Sequence, residues 1–283
     1  MIWKVFGFEK IKNSFIKWVE TKTLGHAYIF SGQEMIGKKS FARELAGLAT
    51  EKIGLAVNPN LLEIDTTSSD SGRTIGVDKI REAKIFLSTT THDGKYKFLL
   101  INDAHLLTIE AQNALLKILE EPSRQSVIIL VSHLSGNLLA TISSRCQLIR
   151  FPPHPAVLLM AIADQYRIAA DTKTSALEIA SGRPGLLKKI LDNIPSLDVK
   201  EVLAEYSRLA KLDLSQKFAF AKKMSDDKRR DEMIEKAFIW LAYARKQNGN
   251  PAKILKGLCR FLDSASQPQY NFRLALENLL INL

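Results

Sequence analysis

Residues 31–41 read SGQEMIGKKSF. Gly32, four intervening residues, Gly37 and Lys38 have the spacing of a phosphate-binding loop. In such a loop the glycines let backbone N–H groups face phosphate oxygens, and the Lys reaches the β- and γ-phosphates. The following position needs a Ser or Thr hydroxyl for Mg²⁺, and it holds Lys39; a hydroxyl arrives one residue late, at Ser40. An ammonium has no lone pair and cannot ligate a metal. The loop follows the apolar run HAYIFSG (26–32) and precedes KKSFARELAGLATEKIG (38–54), whose apolar residues have helical spacing. Strand, loop and helix in that order favour descent from a phosphate loop over a chance glycine turn. Weak ATP or ADP binding is compatible with Gly32, Gly37 and Lys38; a working ATPase does not follow.

Outward from this loop the first half alternates strand and helix signals. NLLEID (60–65), KYKFLLINDA (95–104) and SVIILVSH (126–133) read as strands, the last two with the continuous apolar runs of strands buried on both faces. TIGVDKIREAKIFLSTT (74–90) reads as a strand end and a helix, and TIEAQNALLKILEEP (108–122) as a helix stopped by Pro122. The alternation predicts a parallel sheet covered by helices. FPPHP (151–155) marks a boundary, and beyond Ala156 the spacing is helical with no convincing strand. The expected organisation is an α/β nucleotide-binding-like domain over 1–150, a small helical lid over 151–192 and an all-α C-terminal domain over 193–283.

FLLIND (98–103) resembles the strand that ends in an acidic pair in active nucleotide hydrolases, but Asn102 stands first and Asp103 second. A neutral amide is a poor Mg²⁺ partner. Lys39 and Asn102 together argue against Mg²⁺-dependent hydrolysis, with a plain strand cap as the bland alternative for Asn102 and Asp103. Ser132 and His133, just past VIILV, stand where a polar residue commonly senses the γ-phosphate; His133 equally fits a loop histidine.

The chain has 283 residues, 46% apolar and 25% charged, and 40 Lys and Arg against 30 Asp and Glu, a formal charge of +10. A positive balance favours a polyanionic partner only modestly when its charges are scattered. The two cysteines, Cys146 and Cys259, have no metal-ligand spacing. No apolar run reaches the ~18 residues of a membrane span, and the N-terminal residues mix Lys and Glu into their apolar positions, so neither a membrane anchor nor a signal peptide is expected. Cytoplasmic residence is the expectation.

The succession HAYIFSG, degenerate phosphate loop, IGVDKIRE, LLINDAHLL, QNALLKILEEP and ISSRCQLIRF resembles the delta-prime family of bacterial DNA polymerase III, in the clamp-loader branch of the AAA+ ATPases. NFRLALENLLINL is similar to that family's C-terminal ending, so the resemblance runs through essentially the whole chain. It implies a non-motor subunit of a five-subunit arc that helps load a sliding clamp on primed DNA, with other clamp-loader subunits, the clamp and primer-template DNA as partners. It would belong to a DNA polymerase by complex membership only. Arg145, between Ser144 and Cys146, matches the family's arginine finger, which enters a neighbour's ATP site; on its own it reads equally well as a local ion pair. A second sensor arginine is expected three residues after Gly182, and Gly185 stands there. Many relatives carry a four-cysteine zinc module before the second strand; residues 48–65 contain no cysteine, so no zinc or other metal is expected. The competing reading is a motor-type AAA+ ATPase that hydrolyses ATP itself. A third, a free-standing nucleic-acid-binding protein, rests on charge alone.

Overall fold

The computed structural model describes residues 3–52, 58–69, 72–89, 96–123, 125–166, 170–193, 199–225, 227–246 and 271–283, with a few positions between 254 and 261. It divides into two compact units, one of residues 1–158 with 182–185 and the other of 159–181 with 186–283.

The first unit is built on five parallel strands: β1 (Ala27–Ser31), β2 (Leu61–Ile64), β5 (Lys97–Ile101), β6 (Ser126–Ser132) and β7 (Gln147–Arg150), in the order β2-β5-β6-β1-β7. A hairpin of β3 (Thr67–Ser69) and β4 (Gly72–Thr74) stands apart from this sheet. The two central strands show why their sequences are apolar without alternation. Phe98 and Leu100 of β5, with Val127, Ile129 and Val131 of β6, face one core; Leu99, Ile101, Ile128 and Leu130 face another. Successive side chains point to opposite faces, so a strand covered on both sides needs apolar residues at every position.

On one face the cover is α1 (Glu9–Glu20) and α2 (Lys38–Ala49), through Phe15, Phe41, Ala42 and Leu45. Phe41 is fully buried, its ring centroid 4.6 Å from that of Trp3 and 5.2 Å from that of Phe151. The opposite face is covered by α3 (Val77–Ser88) and α4 (Ile109–Glu120), through Ile80, Ala83, Leu87, Ala111, Leu115 and Leu119. Helix α4 begins where the Thr108 side chain accepts a hydrogen bond from Ala111 N and ends before Pro122. A one-turn helix α5 (Ala140–Ser143) leads into the edge strand β7.

The second unit is helical at every described residue of regular structure: α6 (Ala156–Ala163, which starts in the first unit), α7 (Ala170–Ala180), α8 (Pro184–Asn193), α9 (Val199–Leu209), α10 (Leu214–Met224), α11 (Asp227–Lys246) and the C-terminal helix Phe272–Ile281. Its described residues form two separate apolar clusters. Leu159, Ala163, Ala176, Ala180, Leu187 and Leu191 form the smaller, within the segment read as a lid. The larger runs from Val202 to Leu280 around fully buried Trp240, whose indole N–H donates to Val202 O at 3.0 Å. The C-terminal helix contributes Phe272, Leu276, Leu279 and Leu280 to that core and leaves Leu274 and Ile281 exposed.

Candidate functional site

Because the strands are parallel, β1, β5 and β6 present their carboxyl ends side by side, and the loops that follow them converge; open α/β sheets bind ligands at such an edge. The residues singled out by spacing meet there. Gly32 leaves β1 with φ 154°, and a Cβ at that position would lie 2.5 Å from Phe151 O. Gly37 takes φ 106° at the start of α2. Both glycines are therefore required by backbone geometry whether or not a phosphate is bound.

Lys38 is buried, 5% exposed, and its ammonium donates to Gly32 O and Gln33 O at 2.6 Å each. Burial pulls its pKa down to about 8, against the opposing pull of the Glu34 and Asp103 carboxylates. Lys39 turns away to Asp65, at 2.7 Å from both carboxylate oxygens, with Glu63 at 3.9 Å. Asn102 donates to Asp103 Oδ2 at 3.0 Å, and Asp103 sits in the left-handed region at φ 50°. Burial raises the Asp103 carboxyl above its ordinary range, partly offset by His133. The groups that would engage an Mg-nucleotide are thus satisfied by the chain's own atoms. Gly185 packs on the loop as well: its N–H donates to Met35 O at 2.8 Å, and a Cβ there would lie 2.7 Å from that oxygen. An arginine at this position would collide with the loop backbone. The residues present do not fit a metal-bound nucleotide.

Ser132 Oγ accepts from Leu134 N at 3.0 Å and lies 3.4 Å from His105 Nδ1. The His105 and His133 rings meet edge to face at 4.2 Å, and His133 Nδ1 is 3.1 Å from Glu34 Oε1. That approach lacks hydrogen-bond geometry, leaving Nδ1 without a bonded partner despite its burial. Burial, then the neighbouring His133 and Lys38, lowers His105 to about 4, so it is a neutral imidazole at physiological pH.

The second constellation lies before the edge strand. Arg145 is 38% exposed, its guanidinium 2.8 Å from Glu120 Oε1 and bonded to Thr141 O at 3.1 Å. Ser144 donates to Thr141 O at 3.0 Å. Cys146 packs against the core that contains α3 and α4, and burial pushes its thiol up to about 12, so it stays protonated and serves packing. The motif QNALLKILEEP supplies the support. Buried Gln112 donates to Leu107 O at 3.2 Å and accepts from Leu139 N at 2.8 Å, tying α4 to the turn that carries Arg145. Sequence spacing singled out neither Glu120, His105 nor Gln112 by role. For Glu120 and Gln112 the signal in the sequence is the polar residues of QNALLKILEEP on an otherwise apolar helix; for His105 it is a second imidazole just past a buried strand.

A profile of the family described as DNA polymerase III, delta subunit, matches residues 7–155. The chain belongs to this family. Among curated relatives, the delta' subunit of DNA polymerase III from Pseudomonas aeruginosa is 31% identical over 137 residues, 43% of this chain and 41% of the relative. The Escherichia coli delta' subunit is 35% identical over 122 residues, 42% and 36% of the respective lengths. The gamma/tau subunit from Mycobacterium bovis is 30% identical over 198 residues, 63% of this chain and 34% of the relative. The chain thus spans about two fifths or less of the length of these relatives. A DNA polymerase III gamma subunit-related protein from Thermotoga maritima superposes with a TM-score of 0.58 at 21% identity, covering 95% of this chain and 97% of that one. The fold is an α/β domain followed by a helical part, in a member of the DNA polymerase III delta family that is similar to delta' subunits. No helix among the described residues is long and apolar enough to cross a membrane.

Proposed function

We propose that the chain is a non-motor, delta'-type subunit of a bacterial clamp loader that works beside ATPase subunits rather than hydrolysing ATP itself. The observation that carries this reading is the engagement of Lys38, Lys39 and Asn102 by Gly32 O, Gln33 O, Asp65 and Asp103. The three positions that should meet phosphate and Mg²⁺ are occupied by internal partners. Arg145, by contrast, is partly exposed, its guanidinium contacting only Glu120 and Thr141 O. In this reading Arg145 enters a neighbour's ATP site, exchanging Glu120 for phosphate oxygens, and offsets transition-state charge there. Fingers supplied in trans are worth roughly 10³–10⁵ in rate.

The remaining roles follow from membership of such an assembly. Residues 151–192 act as the lid and 193–283 as the collar joining five subunits. Sliding clamp and primer-template DNA are met through the complex, in the cytoplasm. The positive charge is read as serving DNA that passes the inner face of the assembled arc. Steady-state ATP turnover, measured on the isolated chain and again after ATPase subunits are added, tests the reading. It expects no turnover alone and stimulated turnover in the mixture. Hydrolysis by the isolated chain near the ~10 s⁻¹ of an ordinary enzyme favours the motor-type alternative.

A further inference from the structure

Among the described residues one group of three metal-capable side chains comes together: Asp103, His105 and His133, whose ligand atoms all lie within 4.8 Å of one another. Two adjacent parallel strands bring them there. Asp103 and His105 follow β5, and His133 follows β6. We propose that Asp103, His105 and His133 form a binding site for one divalent transition-metal ion of the Zn²⁺, Co²⁺ or Ni²⁺ class, at the sheet edge beside the degenerate phosphate loop. The proposal is independent of the clamp-loader reading and departs from the metal-free expectation drawn from the sequence.

The donor set decides the class of ion. Two imidazoles with one carboxylate suit Zn²⁺ and its neighbours, whereas Mg²⁺ and Ca²⁺ take oxygen donors. Three protein ligands with a further position open is also a common zinc arrangement. Donors about 2.1 Å from one ion stand about 3.4 Å apart in a tetrahedron, so the three groups need to close by roughly an ångström, within reach of side-chain torsions. Two features favour that closure. His133 Nδ1 is buried without a hydrogen bond, and Glu34 Oε1, 3.1 Å away, supplies a second carboxylate to hold the ring or complete the shell.

The local charge permits a dication. Asp103, Glu34 and Asp65 oppose Lys38 and Lys39, the charged groups that act on this cluster. The Lys38 ammonium works against the ion, which gives the proposal a sign that simple packing of two histidines lacks: removing Lys38 must tighten binding.

Titration of the full chain with Co²⁺ and Zn²⁺, by calorimetry and visible absorption, tests the site. One equivalent should bind, with Co²⁺ d–d bands and no thiolate charge-transfer band, which separates this site from Cys146 and Cys259. His105→Gln and His133→Gln should each weaken it by at least tenfold, since even outer-shell partners of a metal site contribute 10–100-fold. Lys38→Met should strengthen it. Asp103→Asn keeps the shape of the turn and serves if a histidine variant does not fold. The same equivalent bound equally by wild type and His105→Gln/His133→Gln, a thiolate band, or no equivalent bound overturns the assignment.

Discussion

Two corners of the same sheet treat their charged residues in opposite ways. At the carboxyl ends of β1, β5 and β6, Lys38 is buried and bonded to its own loop, and Lys39 and Asn102 are held by neighbouring carboxylates. At the turn before β7, Arg145 stays exposed, with one carboxylate and one carbonyl as partners. The buried Lys38 ammonium is costly to release from its two carbonyls, because a buried donor left unpaired loses its full solvation, whereas the Lys39–Asp65 pair lies nearer the surface. An exposed guanidinium can change partners at little cost, because surface ion pairs are worth about 0–1 kcal/mol. The comparison teaches that a motif can keep its spacing while its polar groups bond within the chain; on the proposed role, the group that acts on another molecule lies elsewhere, at Arg145.

Breaking the comparison at its outward corner should have the largest effect. On the proposed role, Arg145→Ala removes roughly 10³-fold or more of the rate at the partner site it faces, read as clamp- and DNA-stimulated ATP turnover, with Tm nearly unchanged. Arg145→Lys should not restore it, because an ammonium lacks the planar fork that engages phosphate oxygens. At the inward corner the effects are on stability. Phe41→Ala, in the aromatic cluster under α2, should cost about 3–5 kcal/mol by denaturant unfolding. Gly32→Ala forces a side chain into a left-handed backbone and against Phe151 O, and should cost on the order of 1–3 kcal/mol.

Smaller effects sharpen the contrast. Lys38 has a folded pKa of about 8 against 10.5 unfolded. The unfolded chain therefore holds the proton over pH 8–10.5 while the folded one does not, and stability relative to Lys38→Met should rise with pH across that window. A flat difference would show that the two carbonyl bonds hold the ammonium charged. The smallest shift belongs to Glu120→Gln: freeing Arg145 from its internal partner should change stability by less than about 1 kcal/mol.

Much of this was legible because the signals are periodic. FLLI and VIILV announced strands covered on both faces, and the alternation with helices announced the parallel sheet. Strand β7 was not read, since QLIR lies at an exposed edge and carries no apolar run, nor was the β3–β4 hairpin, whose residues TSS and GRT have no apolar side chain to announce it. At the site, spacing picks out Gly32, Gly37 and Lys38 on one strand-to-helix loop but does not say where an ammonium on a flexible stem points. The Arg145–Glu120 pair joins residues 25 positions apart, and the pairing of His105 with His133 joins two strand ends. Such contacts are set by the fold and leave no local pattern. The C-terminal helix carries the same lesson. Helical spacing alone does not say which face of LALENLLINL is covered; Phe272, Leu276, Leu279 and Leu280 of its helix lie in the core of their own unit. Exposed Leu274 and Ile281 are the positions to change to Ser when assembly is tested by light scattering.

The central claim is that the working polar group of this chain faces a partner. Single-turnover ATP hydrolysis by a reconstituted loader containing Arg145→Ala tests it most directly. The account predicts that one kinetic phase, that of the site facing Arg145, disappears while the other sites turn over normally and the complex keeps its mass. Unchanged turnover at every site would contradict it and leave Arg145 as a local partner of Glu120.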